Sequence, residues 1–503
     1  MNRNSILFQN ISFSYEVTSY FLFQNLSVHF PTGWTGIVGA NGAGKTTLLK
    51  LATGTLEPNH GHIQHPQKTC YCPQRMDSAP DFLKDLVETT VATACKIKGI
   101  LRIEEDWLKR WDSLSYGERK RAQIGVALWC DPECLAVDEP TNHLDMETRQ
   151  LVEEALTLFR GIGLLVSHDR DLVDKLCHQC LFVDPPEAVL RPGGVTKGLQ
   201  QQKQEQDSLQ QQKHHAKQEY TTLRRVAHKR RELSANQQKQ RSKRGLALKD
   251  HDSRAKLDLA RVTGKDGTGG KLLRQLDGRL KRSHDKLQGI KIKKTYKMGI
   301  WLEGSFSQRD RLFHLSSRTI ALGENRQLHI PDLAMKPDDR IGLIGSNGAG
   351  KSTLITSIVN QLDLAKNRII YLSQEIDVGT SRDIMDKVHS LPKEKLGHLM
   401  TIISSLGSRP ARLLETKMPS PGEIRKLLLA IGITNSPYLI IMDEPTNHLD
   451  LPSIECLEKA LNGCPCGLLL VSHDRIFLES LCKTYWKIVQ DKEKENILRL
   501  ICQ

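Results

Sequence analysis

The sequence predicts an α/β protein made of two copies of one domain, joined by a basic, helical linker. Three observations support this prediction: motifs recur at a nearly constant offset, short apolar runs precede these motifs, and positive charge is concentrated between the two copies. A chain of 503 residues is also too long for one hydrophobic core. We therefore place the first copy at residues 1–193, the linker at 194–300 and the second copy at 301–503.

Three separate motifs of the first copy recur in the second. The offset is 306 residues for the first motif and 305 for the other two. A near-constant offset across three motifs indicates a duplicated domain rather than chance. The pairs are Gly39–Thr46 with Gly345–Ser352, Asp138–Asp145 with Asp443–Asp450, and Val166–Arg170 with Val471–Arg475.

Short apolar runs stand directly before these motifs, and each run ends in a polar turn. Such runs are typical of strands that are buried on both faces, as in the sheet of an α/β domain. The predicted strands are Trp34–Val38, Cys134–Val137 and Gly163–Val166 in the first copy, and Ile341–Ile344, Leu439–Met442 and Leu468–Val471 in the second.

Positive charge is concentrated in one segment of the chain. Residues 195–300 contain 28 Lys and Arg against 10 Asp and Glu, whereas the rest of the chain has a net charge of −4. A segment with an excess of 18 positive charges repels itself unless a polyanion meets it, so we expect a nucleic-acid partner. A solvated spacer, whose charges only keep it in solution, is the alternative.

The first repeated motif has the GxxxxGK[S/T] pattern of a phosphate-binding loop. Its glycines let backbone N–H groups face the phosphates, and the helix that follows adds its positive N-terminal end. We expect Lys45 and Lys351 to reach the β- and γ-phosphates, and Thr46 and Ser352 to ligate Mg²⁺. The expected nucleotide contacts are Gly39, Asn41, Gly42, Gly44, Lys45, Thr46 and Thr47, with Gly345, Asn347, Gly348, Gly350, Lys351, Ser352 and Thr353.

The other two motifs carry carboxylates and a histidine. Asp138 and Asp443 end buried strands, where the second Mg²⁺-binding carboxylate of a P-loop ATPase belongs. The residues that follow, Glu139 and Glu444, are expected to polarise the attacking water. His168 and His473 follow two further strands, and we expect them to contact the γ-phosphate rather than fill a core position.

With these motifs the chain resembles the ABC ATPases along nearly all of its length outside the linker. Leu114–Glu118 resembles the ABC signature, and Asp145 and Asp450 resemble its D-loop aspartates. In this family the two cassettes pair head to tail, and each ATP lies between one P-loop and the opposite signature. By resemblance, the residues assigned to nucleotide are Tyr15 on adenine, Gln74 and Gln374 on nucleotide and Mg²⁺, and the signature residues Ser115, Gly117, Glu118, Ser420, Gly422 and Glu423.

The head-to-tail pairing of the family sets which residues share a site. It implies that Lys45 meets Ser420 and Gly422, and that Lys351 meets Ser115 and Gly117. Because the pairing takes place within one chain, the expected state is a monomer.

Two departures from the family pattern predict unequal ATP sites. The second signature has Pro421 where the family has glycine, although proline is tolerated in the first helical turn. Aligning the two copies also places Ile320 opposite Tyr15, which removes the aromatic partner of adenine from the second site.

The motif Glu-Pro-Thr-Asn-His-Leu-Asp in both copies is similar to that of the ABC-F class, whose twin cassettes act on ribosomes. The layout of cassette, basic linker and cassette is similar too. The intervals from Gln74 to Ser115 and from Gln374 to Ser420 are too short for the extra arm of some members. The resemblance implies an ATP- and Mg²⁺-dependent ATPase in the cytoplasm, serving translation or protecting ribosomes from antibiotics.

Two heptad-like series within the linker predict an antiparallel helical hairpin. About 30 residues in each helix would span roughly 45 Å, with residues 235–270 at the tip. This tip is rich in Lys and Arg and lacks aromatic residues, which favours contact with phosphates over base stacking. The resemblance implies that it contacts rRNA and P-site tRNA. The two series are Leu209, Ala216, Tyr220, Leu223 and Ala227, and Leu273, Leu276, Leu280, Leu287 and Ile290.

Two other functions use the same cassettes. The energy module of a membrane transporter would need a separate membrane partner, because no run in this sequence is long and apolar enough to span a bilayer. A DNA-repair or chromosome-organising ATPase would use the basic hairpin on DNA, but such proteins usually split a cassette with a long coiled coil or zinc modules. The twelve cysteines are expected to be reduced thiols rather than metal ligands.

Overall fold

The structure is a computed structural model in which most of the chain is described. Within it, the chain divides into two compact units: Met1–Gly198 with Tyr296–Gln503, and Leu199–Thr295. The first unit contains both repeated domains, called cassettes 1 and 2 below. The described residues are 5–16, 21–240, 266–290, 305–323, 326–374, 378–407, 413, 420–447, 449–490 and 497–502.

Cassette 1 is built on a six-stranded sheet with the strand order β5-β6-β7-β3-β8-β9. Its strands run parallel except β9, which pairs antiparallel with β8. A separate antiparallel sheet has the order β2-β1-β4. The strands are β1 Ile6–Phe13, β2 Phe23–Phe30, β3 Gly33–Gly39, β4 His60–Gln64, β5 Thr69–Cys72, β6 Cys134–Asp138, β7 Ile162–Val166, β8 Cys177–Asp184 and β9 Glu187–Pro192. The helices are α1 Lys45–Ala52, α2 Leu83–Glu88, α3 Ala92–Leu101, α4 Tyr116–Trp129, α5 Met146–Leu156 and α6 Arg170–Leu176.

Cassette 2 repeats this plan, but its sheets join differently, and β10 and β13 form a separate two-stranded antiparallel sheet. Strands β11 and β12 belong to the main sheet, which has the order β11-β12-β19-β18-β14-β17-β16-β15, because β19 pairs with both β12 and β18. The strands are β10 Phe313–Leu315, β11 Arg318–Ala321, β12 Gln327–Ile330, β13 Leu333–Met335, β14 Arg340–Ile344, β15 Ile369–Leu372, β16 Leu439–Asp443, β17 Gly467–Val471, β18 Thr484–Gln490 and β19 Ile497–Cys502. The helices are α9 Lys351–Val359, α10 Val378–His389, α11 Lys393–Ser405, α12 Pro421–Ile433, α13 Leu451–Asn462 and α14 Arg475–Leu481.

The apolar runs form the central strands, as predicted. In β17, Leu468 and Leu470 pack into one buried cluster, while Leu469 and Val471 pack into another. Successive side chains of a strand point to opposite faces, so both faces of this sheet are covered. Burial on both faces explains why these strands are continuously apolar in sequence, and it confirms the predicted α/β class.

Two long helices, α7 Val195–Gln240 and α8 Asp266–Gly289, supply the second unit, which begins at Leu199 within α7. Arg231 Nη2 lies 2.6 Å from Asp277 Oδ1, and Lys286 Nζ lies 3.9 Å from Glu219 Oε2. Because the residue number rises along α7 while that of its partner falls along α8, the helices run antiparallel. The predicted helical hairpin is therefore confirmed.

The hairpin differs from the prediction in two details. Helix α7 has 46 residues, which at 1.5 Å each span about 69 Å rather than 45 Å. Its Gln, Lys, Arg and Ala residues favour helix, so it continues into the segment that we predicted as tip. Of that tip, residues 235–240 and 266–270 are helical, and residues 241–265 lie outside the described part. Leu209 is exposed rather than in the seam, whereas Ala216, Ala227 and Leu276 are buried.

One pair of cysteines differs from the expected reduced state. Cys464 and Cys466, between α13 and β17, are joined by a disulfide. Both residues are buried in the core of cassette 2. Among the described residues, no helix has the length and apolar character needed to cross a membrane.

Candidate active sites

Both phosphate-binding loops lie between a central strand and the helix that follows it. Gly44 and Gly350, directly before α1 and α9, each have φ of +90°, a conformation that other residues rarely adopt. A Cβ atom on either glycine would also lie 2.7 Å from a leucine side chain, Leu22 in cassette 1 and Leu322 in cassette 2. The backbone therefore requires glycine at these positions, and the two loops share one geometry.

The lysines of the two loops turn back onto their own backbone. Lys45 Nζ donates to the carbonyls of Gly39 at 2.9 Å and Ala40 at 3.1 Å. Lys351 Nζ donates to the carbonyl of Gly345 at 2.7 Å in the same way. Burial lowers the pKa of both lysines, while the nearby carboxylates act in the opposite direction. This arrangement places one cation beside the backbone N–H groups of each loop, as an anionic ligand requires.

The hydroxyl and carboxylate expected to hold Mg²⁺ lie next to each other in both cassettes. Thr46 Oγ1 donates to Asp138 Oδ2 at 2.7 Å, and Ser352 Oγ donates to Asp443 Oδ2 at 2.6 Å. The Oδ1 atom of Asp443 is buried and has no hydrogen-bond partner among the described residues. A hydroxyl beside a carboxylate with an unpaired oxygen fits Mg²⁺, because this ion is usually coordinated by one or two protein oxygens together with phosphate oxygens of the bound nucleotide. Burial is the main factor that raises the pKa of both aspartates.

The glutamates that follow these aspartates are buried and held by the two histidines. The backbone N–H of His168 donates to Glu139 Oε2 at 3.2 Å, and His168 Nε2 lies 3.1 Å from Glu139 Oε1. In cassette 2 the same distances between His473 and Glu444 are 3.3 Å and 3.4 Å. Each glutamate also has a positive φ, which turns its side chain off the end of the strand. The strand end, the glutamate and the histidine therefore form one unit in each cassette.

Burial sets the protonation of these groups. It raises the pKa of Glu139 and of Glu444 to about 7, with Lys45 and Lys351 acting in the opposite direction. Burial also lowers the pKa of both histidines to about 3, so that the imidazoles are neutral at physiological pH. A carboxylate that titrates near neutrality can accept a proton from water, and a neutral imidazole can orient that water.

The cavity around Lys45, with a volume of about 1350 Å³, is lined by residues of both cassettes. Tyr15, Gln74 and Glu139 line it from cassette 1, and Ser420 and Gly422 line it from cassette 2. The structure thus brings together the P-loop and the opposite signature, as expected for this cavity. Asp450 of the second D-loop closes the contact, because its Oδ2 accepts from the backbone N–H of Asn41 at 2.7 Å.

The cavity around Lys351 is smaller, about 960 Å³, and has a different opposing wall. Gln374 and Glu444 line it from cassette 2, while His143 and Leu144 line it from cassette 1. Ser115 and Gly117 were expected here but are not among the lining residues. Gly117 lies directly behind the wall, since a Cβ on it would be 3.4 Å from Leu144 Cδ2.

The two signatures have the same local structure despite the proline. Ser115 and Ser420 each cap the following helix and form a capping box with Glu118 and Glu423. Pro421 is the first residue of α12, where the missing N–H has no partner to lose. Proline at this position, where the first signature has Tyr116, therefore leaves the signature helix intact.

The side of the cavity expected to face adenine differs between the two cassettes. Tyr15 lines the first cavity, and its hydroxyl lies 2.8 Å from Thr47 Oγ1. The alignment of Ile320 with Tyr15 is wrong, because Ile320 pairs with Leu328 within the sheet. Leu322 and Gly323 line the second cavity instead, and no aromatic side chain is among its described lining residues other than the imidazoles.

Several charged residues around these sites were not predicted from the sequence. Arg149 Nη1 of cassette 1 donates to the carbonyl of His473 in cassette 2 at 3.0 Å. Lys120, in the signature helix, is buried, and burial lowers its pKa to about 8. Its counterpart Arg425 donates to the carbonyl of Glu444 at 2.9 Å. Arg149 could have been found from the sequence, because the repeat offset aligns it with Ile454 and the two copies therefore differ in charge at this position.

Comparison with known families identifies both repeated domains. Residues 23–142 and 328–447 each match the family described as ABC transporter. The matched segments contain the P-loops, the signatures and the paired carboxylates of both cavities. Each match ends at or next to the D-loop that contacts the opposite P-loop.

Several curated proteins are similar along most of their length. The ribosome protection protein VmlR of Bacillus subtilis is 28% identical over 93% of this chain and 84% of its own. The ATP-binding protein Uup of Buchnera aphidicola is 26% identical, covering 90% of this chain and 75% of its own. The erythromycin resistance ATP-binding protein MsrA of Staphylococcus epidermidis is 24% identical, covering 90% of this chain and 91% of its own.

Solved structures share the arrangement of two cassettes. The RNase-L inhibitor matches with a TM-score of 0.62 at 18% identity, covering 98% of this chain and 90% of its own. The archaeal ribosome recycling factor aABCE1, solved with ribosomal stalk protein aP1, matches with a TM-score of 0.61 at 17% identity, over 98% and 89%. At this identity the similarity establishes the fold alone.

Proposed function

Because the chain belongs to the ABC-F family of ATP-binding cassette proteins, we propose that it is a Mg²⁺-dependent ATPase that acts on the ribosome. The observation that carries the proposal is the cavity that is lined by Lys45 and Glu139 of one cassette and by Ser420 and Gly422 of the other. ATP bound there touches both cassettes, so binding and hydrolysis change how firmly the cassettes are joined. The proposed location is the cytoplasm, and the proposed state is a monomer.

The residues of each site divide the work of hydrolysis. The loop N–H groups and Lys45 bind the phosphates, and Ser420 and Gly422 close over the γ-phosphate from the other side. Glu139 accepts the proton of the attacking water, and His168, held on the same carboxylate, orients water and phosphate. Mg²⁺, held by Thr46 and Asp138, would neutralise developing charge on the phosphates. In the second site the corresponding groups are Lys351, Glu444, His473, Ser352 and Asp443.

The hairpin supports the ribosomal part of the proposal. Its concentrated positive charge is typical of a segment that binds a polyanion. Its longer helix, α7, has 46 residues, which is long enough to extend into a deep cleft of a large partner. We assign residues 235–270 to contact with rRNA and P-site tRNA. The names of VmlR, a ribosome protection protein, and MsrA, an erythromycin resistance protein, make ribosome protection one candidate role beside a general role in translation. A transporter module would have no use for this hairpin.

The first test is sedimentation of a variant that binds ATP but does not hydrolyse it. Glu139→Gln combined with Glu444→Gln keeps the shape of both sites but removes the bases, so turnover should fall by about 100-fold or more. With ATP, this variant should remain closed and co-sediment with ribosomes in a sucrose gradient. Glu147→Gln, a matched change of an exposed glutamate on α5, should leave the parent pattern unchanged.

Two outcomes would contradict the proposal. Near-normal ATP hydrolysis by the double variant would remove Glu139 and Glu444 as bases. Equal sedimentation with and without ATP, or migration with membranes instead of ribosomes, would remove the ribosomal role. Migration with membranes would favour a transporter module.

The second test addresses the tip of the hairpin. Arg241, Lys243 and Arg244 changed together to Glu should weaken ATP-dependent ribosome binding. Each lost phosphate contact should lower the slope of log affinity against log salt by about 0.7 to 0.9. ATP hydrolysis without ribosomes should be unchanged, because both sites lie in the cassettes. If the variant binds ribosomes as tightly as the parent at every salt concentration, the tip is a spacer.

A further inference from the structure

The D-loop aspartates Asp145 and Asp450 each accept from the P-loop of the opposite cassette, but the arginine contacts between the cassettes are one-sided. Arg170 of cassette 1 forms a largely buried ion pair with Glu458 of cassette 2, with Nη2 and Oε1 3.2 Å apart. The symmetry-related residues do not repeat it. Arg475 pairs with Glu479 on its own helix. Glu153 pairs with Lys175 inside cassette 1. The ion pair between Arg170 and Glu458 is therefore present on one side of the interface only, although the two domains arose by duplication.

Arg149 makes the contact that lies nearest to an active site. It stands in the first turn of α5, directly after the D-loop of cassette 1. Its Nε donates to the carbonyl of Leu144 at 3.2 Å, and its Nη1 donates to the carbonyl of His473 at 3.0 Å. Leu144 and His473 both line the cavity around Lys351. One guanidinium thus joins the two opposing walls of the second site.

The geometry around Arg149 is fixed by a further partner. Its Nη1 lies 3.4 Å from Asp169 Oδ2, and both side chains are mostly buried. Asp169 also caps helix α6 by accepting from the backbone N–H of Leu172. Because Asp169 is fixed by this cap, it holds the planar guanidinium in one orientation. Charge-assisted hydrogen bonds of this kind are stronger than those between neutral groups.

Within the part of the chain that the structure describes, the first site has no equivalent of this contact. The position that corresponds to Arg149 in cassette 2 is Ile454, four residues after the D-loop aspartate in both copies. Ile454 is buried in the core cluster of cassette 2. An isoleucine side chain has no hydrogen-bond donor, so it cannot hold the carbonyl of His168.

We propose that Arg149 is a positioning residue for the second ATP site alone. It holds the backbone at His473 in place across the interface, so that His473 remains aligned with Glu444. Both sites require the cassettes to close over ATP. Hydrolysis at the Lys351 site then requires, in addition, that Arg149 of cassette 1 contacts the backbone at His473. This inference rests on the proposed ATPase function and adds a dependence that the first site lacks.

The test measures each site separately. Glu139→Gln leaves the second site as the only one that hydrolyses ATP, and Glu444→Gln leaves only the first. Arg149→Met, which keeps the length of the side chain but removes its donors, is then added to each. In the Glu139→Gln protein, kcat should fall about tenfold with KM for ATP changing less than twofold, because alignment rather than binding is lost. In the Glu444→Gln protein, kcat and KM should both remain within about twofold.

Two further variants separate positioning from stability. Arg149→Lys restores one donor and the charge, so it should recover part of kcat in the Glu139→Gln protein. Arg102→Met removes an exposed arginine at the end of α3 that pairs with Glu147 of α5, the helix that carries Arg149, and it should change neither site. Thermal unfolding of each variant shows whether the fold is retained.

The outcomes are distinct. Equal losses of kcat in both backgrounds, or no loss in either, would overturn the inference while leaving the proposed function intact. The absence of any turnover by the Glu139→Gln protein would overturn it as well, since the second site would not be competent. If the parent chain hydrolyses no ATP, the proposed function is wrong, and the inference falls with it.

Discussion

The cavities around Lys45 and Lys351 contain the same motifs but have different walls. The glycine conformations, the lysine contacts and the pairing of glutamate with histidine agree closely between the two. In contrast, Tyr15 has no aromatic counterpart among the described lining residues of the second cavity, and the opposing cassette presents a signature in one case and a D-loop segment in the other. The groups that bind phosphate are thus retained within each cassette, while the surfaces between the cassettes have diverged.

Removing one P-loop lysine at a time gives the largest expected effect. Lys45→Ala and Lys351→Ala should each reduce turnover at the altered site by about 100-fold, because a charged phosphate contact is lost. Lys45→Ala leaves only the cavity around Lys351, whose described lining residues include no Phe, Tyr or Trp, so its remaining ATP affinity should be about fivefold weaker than that of Lys351→Ala. ATP titration and single-site turnover measure both effects. Equal affinities and rates in the two variants would contradict unequal sites.

Changing Tyr15 tests the cause of that difference and should have a smaller effect. In the Lys351→Ala protein, Tyr15→Leu should weaken ATP binding about fivefold, because the stacking surface for adenine is lost. Tyr15→Phe keeps the ring while removing the hydroxyl near Thr47, and it should retain most of the affinity. The same titration with GTP checks whether the base is involved. If Tyr15→Leu and Tyr15→Phe weaken binding equally, the hydroxyl rather than the ring is responsible.

Restoring glycine in the second signature should have the smallest effect. Pro421→Gly should change turnover at the Lys45 site by less than about twofold, since proline fits the first helical position. It should also lower the free energy of unfolding by about 0.5 kcal/mol, because glycine makes the unfolded chain more flexible. Ser420→Ala, which removes the helix cap, should cost about 1 kcal/mol and serves as the comparison. A gain in turnover of tenfold or more in Pro421→Gly would show that proline limits this site.

Sequence alone predicted the parts of the sites that are encoded locally. A phosphate-binding loop and a buried strand that ends in Asp-Glu depend on neighbouring residues, so Lys45, Asp138 and Glu139 could be placed in one cavity without coordinates. The alignment of Ile320 with Tyr15 failed because the loop between β1 and β2 is longer than that between β11 and β12. Only the strand pairing shows this difference in length.

Contacts between domains could not be predicted in the same way. Arg149 lies near His473 because two cassettes meet there, and no short motif specifies which side chains face the other domain. The length of α7 was underestimated because helix-favouring residues continue past the last apolar position of its seam. The assignment of residues 241–265 to nucleic-acid contact stays a prediction.

The position of β19 has a consequence for biosynthesis. In cassette 1, strands β1 to β9 complete both sheets before the hairpin is translated. In cassette 2, β19 bridges β12 and β18, so the eight-stranded sheet stays divided until residues 497–502 have left the ribosome. Cassette 1 can therefore fold during translation, whereas the edge of β12 that pairs with β19 stays unpaired until β19 has been synthesised. During that interval, edge-to-edge association of nascent chains is a hazard for cassette 2 alone.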